Sequence, residues 1–184
     1  MLFDLCSKLK TERCVLSNAC EDDTPHVYSA SHIKGFNSGM IWDPLACRDK
    51  QRISSKKSSK TWVKGQTYVF TVESNERNLI GRVSIRARGS KGLWSIGFWT
   101  HPQYEGKGLM TEVVTRVLKF GFEELCATEI EACHETWNNA DKGLSERCGM
   151  VWRENIPKGC RNHGEWVAED RFSITREALA GNCV

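Results

Sequence analysis

No run of about 18 apolar residues occurs anywhere in the 184-residue chain, which argues against a membrane-spanning helix. The opening stretch MLFDLCSKLKTER meets acidic and basic residues before the apolar core of a signal peptide could form. A soluble, cytoplasmic protein is the expectation. Charge of one sign is also in short supply: the formal net charge is only +3, too mild for a dedicated nucleic-acid binder. One local exception, RDKQRISSKKSSK over 48–60, carries six basic residues and one acid and reads as a solvated face or a place of attraction for an acidic ligand. Internal repeats and low-complexity segments are missing too, and no interior stretch is polar enough to divide the chain, so residues 1–184 are read as one domain.

Cysteine is not scarce, but paired spacing is. Nine cysteines are scattered without a Cys-x-x-Cys knuckle. An odd, irregular set fits free thiols in a reducing compartment better than a disulfide framework. Cys133, His134, Cys148, Cys160 and His163 lack the spacing of a zinc site, and no metal is expected.

What is present is alternation. ERCVLSNA suggests a first strand at Arg13 to Ser17, and EDDTPHVYSASHI starts like a capped helix. The region around Gly35, Gly39 and Pro44 reads as loop. TYVFTVES, LIGRVSIRAR and LWSIGFWTH are β-branched, alternating runs separated by the turns NERN and GSKG, which makes an antiparallel meander of three strands. From Lys107 to Leu125 the apolar residues recur at three- and four-residue steps, so a helix with one buried stripe follows. TEIEACHE is a strand, and NNADKGLSERCGM a short helix stopping at Gly149. MVWRENI and WVAEDRFSIT are two final strands joined by the loop PKGCRNHG. This order implies an α/β (α+β) fold with a mixed, mostly antiparallel sheet flanked by helices.

The segment HPQYEGKGLMTE, residues 101–112, carries the chemistry. A strand running through a glycine-containing turn into a helix leaves the first helical N–H groups unpartnered at the positive end of the dipole, a place that suits an anion. Gly106 and Gly108 remove side chains that would hold a phosphate off the backbone. The segment lacks the Lys-Ser/Thr pair of the Walker loop and the third glycine of the dinucleotide fingerprint.

WSIGFWTHPQYEGKGLMTEVVTRVLKFGFEEL followed by IEACHETWNNADKGLSERCGM resembles the pantetheine and pyrophosphate region of the GCN5-related N-acetyltransferases (GNAT family). Within that family it is similar to the branch that acetylates the N-terminal residues of ribosomal proteins. Gln103, Gly106 and Gly108 stand as Q-x-x-G-x-G, Asn138 as the Asn before the short helix, and LKTERCVL and WDPL as the branch's opening strand and substrate-side loop. The resemblance covers roughly residues 9 to 179. It implies a splayed sheet with acetyl-CoA as co-substrate, lying where the strand ending at Thr100 parts from the strand at Ile130 to His134. The pyrophosphate would sit on the amides of Glu105, Gly106, Lys107, Gly108 and Leu109, with Gln103, Met110 and Thr111 also binding the cofactor, and the pantetheine on the main chain of Phe98, Trp99 and Thr100. Asn138 would anchor the pantetheine arm, unless it serves only as a helix cap.

The implied activity is direct acetyl transfer to a primary amine, from a protein N-terminus or a small molecule, by a monomer or homodimer. An α-amine near pKa 8 is about a tenth neutral at pH 7, whereas a lysine amine is neutral about four times in ten thousand. Candidates for proton handling are Glu73, Glu135, His134, Asp141 and Ser145. Three positions depart from the family: Ser95 stands where the branch carries a glutamate, Asp141 where it carries a serine, and Ser145 where many members carry an acidic tyrosine. Asp141 can act as an acid only if its pKa is raised.

Overall fold

Alternating side chains in TYVFTVES and LIGRVSIRA put Tyr68, Phe70 and Val72 on the same face of the sheet as Val83 and Ile85, and all five are buried. That face is the floor of the molecule. The computed structural model describes residues 4–33, 36, 58–162 and 164–181. Its elements are β1 (Leu9–Lys10), β2 (Cys14–Asn18), α1 (Thr24–Ser31), α2 (described over 58–63), β3 (Thr67–Ser74), β4 (Leu79–Ala87) and β5 (Leu93–Thr100). There follow α3 (Leu109–Glu123), β6 (Glu129–Glu135), α4 (Asn139–Arg147), β7 (Val151–Asn162), β8 (Glu165–Thr175) and α5 (Arg176–Gly181). The basic run lies outside the described residues before position 58, as do Gly35, Gly39 and Pro44.

The eight strands form one sheet in the order β1-β2-β3-β4-β5-β6-β8-β7, antiparallel except for β5 and β6. The mixed, mostly antiparallel α/β architecture is the one the sequence implied. Helix α3 crosses over between the two parallel strands, and its apolar stripe of Val113, Val114, Val117, Leu118 and Phe122 is buried. Phe120 meets Tyr68 and Phe70 edge-on, with ring centroids 5.4 and 5.8 Å apart, and Trp62 of α2 adds edge contacts at 5.0 and 4.9 Å to the same two rings. On the other side of β3 and β4, Arg82 donates to Asp23 at 3.3 Å and to Thr71 at 3.3 Å, which ties the start of α1 to the sheet.

Close approach of α3 depends on Gly121. A Cβ there would lie 2.7 Å from Ile130 Cδ1 and 2.8 Å from Ile85 Cδ1, so the helix axis rests on the sheet because no side chain intervenes. Gly121→Leu is expected to lift α3 and lower the unfolding free energy by about 3 kcal/mol, as overpacking of a filled core does. A urea unfolding curve superposing on that of the parent chain would refute this packing.

Two sequence expectations change at the C-terminal end. PKGCRNHG is not a loop: β7 runs through it to Asn162 and pairs with β8 from Cys160↔Val167 to Asn162↔Glu165. Pro157 broke the alternation in the sequence, yet β7 is the edge strand and shifts register between Ile156 and Cys160. A residue without an N–H is tolerated in such a bulge. The second change is α5, a six-residue helix with only Leu179 buried, too short and too weakly periodic to be seen in advance.

Candidate active site

β5 and β6 begin together and end apart. Their register pairs are Leu93↔Glu129, Trp94↔Ile130 and Ser95↔Glu131, and none is formed by Ile96–Thr100 with Ala132–Glu135. The far side of β5 stays paired to β4 as far as Gly81↔Thr100. A wedge therefore opens between the C-terminal halves of the two strands, and the main chain of Phe98, Trp99 and Thr100 lines it. Gly81 lets β4 hug this half of β5, since a Cβ there would fall 2.1 Å from the Trp99 carbonyl oxygen. Trp99 itself packs edge-on against Phe36, with centroids 5.0 Å apart, as a wall.

The wedge leads into the glycine loop. Pro102–Tyr104 forms a 3-10 turn capped by His101, whose Nδ1 accepts from the Gln103 N–H at 3.2 Å. The Glu105 N–H turns back to the Pro102 carbonyl at 3.4 Å. Beyond it, the N–H groups of residues 106–111 meet no acceptor among the described residues, and the first helical bond is Glu112 N–H to Gly108 carbonyl at 3.1 Å. Gly106 and Gly108 have φ of +71° and +73°, a region costly to side chains, and the space a Cβ would take at Gly106 is empty. Gln103, Glu105 and Lys107 are exposed around this turn, and Lys107 Nζ lies 4.9 Å from the centre of the Tyr104 ring. Leu109 and Met110 are buried in the first turn of α3, and Thr111 is half-buried beside them.

A strap that sequence reading missed holds this loop. Arg13 on the approach to β2 donates from Nε to Glu112 Oε2 at 2.7 Å, from its main-chain N to Glu112 Oε1 at 2.9 Å, and from Nη1 to the Lys107 carbonyl at 3.1 Å. Its Nη2 comes within 3.7 Å of the place where a Gly108 Cβ would stand, so a guanidinium edges the unpartnered amides. The ion pair is half-exposed and adds little stability. Its effect is positional.

The other wall is β6 and α4. Asn138 caps α4: its Oδ1 accepts from the Asp141 N–H at 3.2 Å and its Nδ2 donates to Asp141 Oδ2 at 2.8 Å. Cys148, at the far end of α4, is 3.6 Å from the Thr111 carbonyl and 3.7 Å from Thr115 Oγ1, which latches α4 to the first turns of α3. Burial raises the Asp141 carboxyl to about 6, with the nearby Glu135 and Glu105 pushing the same way against the Asn138 hydrogen bond. The condition for acid behaviour at this carboxyl is met. Those neighbours also show that α4, the end of β6 and the glycine loop converge.

His134 and Ser145 are buried together, with Nε2 2.7 Å from Oγ. The imidazole sits between the rings of Phe98 and Phe172, 5.6 and 6.0 Å away. Burial and the Lys142 ammonium depress it to about 4 despite Asp170, so it is neutral at pH 7. His134, Ser145 and Asp141 are thus brought to one wall of the wedge. Glu73 is not: it lies at an irregularity of β3, opposite Val15 and Leu79, two strands away from β5.

The seven described cysteines are free, and among the described residues no three His, Cys, Asp or Glu side chains are grouped to hold a metal; His163 lies outside them. No helix among the described residues is long and apolar enough to cross a membrane.

Known proteins resemble this chain in sequence or in fold. The chain is 25% identical over 136 residues to the SPβ prophage-derived uncharacterized N-acetyltransferase YokL of Bacillus subtilis, spanning 70% of this chain and 75% of that one. Three other B. subtilis acetyltransferases are matched over 31%, 61% and 63% of their lengths, less than two thirds in each case. Among solved structures, a GNAT-family acetyltransferase from Bacillus anthracis superposes with a TM-score of 0.81 at 21% identity, covering 93% of this chain and 99% of the other. RimL, a ribosomal L7/L12 alpha-N-protein acetyltransferase solved with coenzyme A, superposes with a TM-score of 0.85 at 12% identity, covering 94% and 99%. At such identities the superpositions show the fold alone. The model of the acetyltransferase (GNAT) domain matches residues 13–151, three quarters of the sequence, and the chain accordingly belongs to the GNAT family as an acetyl-CoA-dependent N-acetyltransferase.

Proposed function

We propose that the protein transfers the acetyl group of acetyl-CoA to a primary amine by direct attack while both substrates are bound. The observation that carries this reading is the wedge between β5 and β6 opening onto six unpartnered N–H groups. In this reading the amides of 106–111 and the Arg13 guanidinium hold the pyrophosphate, supported by the helix dipole of α3. The free edge of Phe98 to Thr100 pairs with the pantetheine as an added strand would. Asn138, already engaged as a cap, borders the arm rather than gripping it with both amide atoms.

A neutral amine attacks the thioester carbonyl carbon; the N–C bond forms, the C–S bond breaks, and the thiolate takes up a proton as CoA leaves. The proton lost by the amine passes to solvent. Asp141 supplies the thiolate's proton: its carboxyl titrates near 6 and so retains about a tenth of its protonated form at pH 7. His134 has too low a basicity to deprotonate an ammonium, and its part is to hold Ser145. The relationship to RimL, which acts on a protein N-terminus, favours an α-amine as one acceptor class, and small amines form the other.

The test is a screen of N-terminal peptides and small primary amines for free CoA, read with a thiol reagent. Release that depends on the amine is the expected result. Tight acetyl-CoA binding with no release for any acceptor would overturn catalysis and leave an acyl-CoA-binding module.

A further inference from the structure

The outward N–H and C=O groups of an edge strand pair with another strand unless the edge is short, covered or lined with lysines. One edge of this sheet, β1, is two residues long. The other, β7, runs for twelve residues, and among the described residues no strand pairs with its outer side. Its first half, VWRENI over 151–156, carries two exposed apolar side chains, Val151 at 55% and Trp152 at 53%. Pro157, which has no N–H to donate, closes the stretch.

The bulge between Trp152 and Glu154 sets which way these side chains point. Trp152 and Asn155 both donate to Asp170 Oδ1, at 3.3 and 3.1 Å, and Asp170 also accepts from Lys142 of α4, so these two lie on the α4 side of the sheet. The other side takes Val151, opposite Ser173; Arg153, which donates to Ser173 Oγ at 2.8 Å; Glu154, which accepts from Arg171 at 2.9 Å; and Ile156, opposite Glu169. Residues 153 and 154 therefore share a face. In an unbulged strand they would point to opposite faces, and they could not meet across a two-fold axis normal to the sheet, because opposed residues of an antiparallel pair share a face.

We infer that two copies of this chain join edge to edge through residues 151–156, antiparallel about a two-fold axis between Arg153 and Glu154, so that the two sheets continue into one. In this register Val151 opposes Ile156 of the second copy, Trp152 opposes Asn155, and Arg153 opposes Glu154, each pair occurring twice as an isologous contact requires. Every pair is matched in face, apolar against apolar and base against acid. A slip by one residue sets Arg153 against Arg153 of the second copy, or Glu154 against Glu154, and breaks the facial match, so the register is specified. The inference goes beyond acetyl transfer and does not depend on it, since β8 lies between β7 and the wedge.

Sedimentation of the parent chain at about 100 μM, well above the roughly micromolar Kd of a small interface, should give a dimer. Arg153→Glu and Glu154→Arg each bring like charges face to face at both crossings, and each variant should be monomeric. Mixed in equal amounts, the two should form a heterodimer, because the acids of one then meet the bases of the other. Neither a misfolded variant nor a purely internal role of the two side chains yields that recovery, and each variant alone should bind CoA as the parent chain does. Amide hydrogen exchange tests the parent chain without substitution: exchange at 151–156 should slow about tenfold between roughly 1 and 100 μM protein, while β1 exchanges at one rate throughout. A parent chain that stays monomeric, variants that stay dimeric, a mixture that stays monomeric, or exchange at 151–156 that ignores concentration each overturns the inference.

Discussion

Gly108→Val is expected to abolish acetyl-CoA binding while leaving the protein folded. Gly108 stands at φ +73° as the residue before α3, where a β-branched side chain is strained by roughly 1–3 kcal/mol. Avoiding that strain rotates the peptide and turns the first amides of α3 away from the pyrophosphate. Each charge-assisted hydrogen bond lost is worth about 1.5–3 kcal/mol. Two of them correspond to a fall in affinity of a hundredfold or more, measurable by calorimetric titration with CoA. Strain alone is separable from site loss because the molecule contains a control. Gly164, in the turn between β7 and β8, has φ +87°, with empty space where a Cβ would stand. Gly164→Val should cost similar stability and leave CoA affinity as it was. Equal affinities for the two variants would mean that the glycine loop is only a tight turn.

Gly106 and Gly108 were legible because the turn they form is local. A strand, a turn with two left-handed residues and a helix start lie within a dozen residues of sequence, and alternation followed by helical periodicity marks each boundary. The meander and α3 were legible for the same reason, with α3 beginning at Leu109 rather than Lys107 because the loop glycines remain outside the helix. Contacts made across the sheet left no such trace. Arg13 and Glu112 are 99 residues apart, and nothing in either neighbourhood pairs them. Glu135 could be singled out as a polar residue at a strand end, but its opposition to Glu169 depends on β8 returning beside β6, a register that the chain order alone does not fix. Pro157 misled because a strand break and an edge-strand bulge look alike in one dimension.

Titration should reveal His134 and Asp141 as opposing contributors to stability. The His134 imidazole protonates near 6.5 in the unfolded chain and only near 4 when folded, so its contribution is fully present above pH 6.5 and is lost as the pH falls to 4. Asp141 runs the other way. Its carboxyl takes a proton near 6 when folded but near 3.8 when unfolded, so it favours the folded state increasingly as the pH falls from about 7 to 4. Each shift corresponds to about 3 kcal/mol at 1.36 kcal/mol per pKa unit, and between pH 4 and 6 the two nearly cancel. Removing either partner exposes the other. Relative to the parent chain, His134→Gln, which keeps an amide within reach of Ser145, should gain stability as the pH is lowered from 6.5 to 4. Asp141→Asn, which keeps an acceptor for Asn138 Nδ2, should lose stability over nearly the same window and should be the more stable protein at pH 8. Urea unfolding at pH 4.5, 6 and 8 reads both differences. Parallel pH profiles for the parent and the two variants would mean that neither group is buried in the wedge wall as described, and Asp141 would then have no raised pKa with which to protonate a departing thiolate.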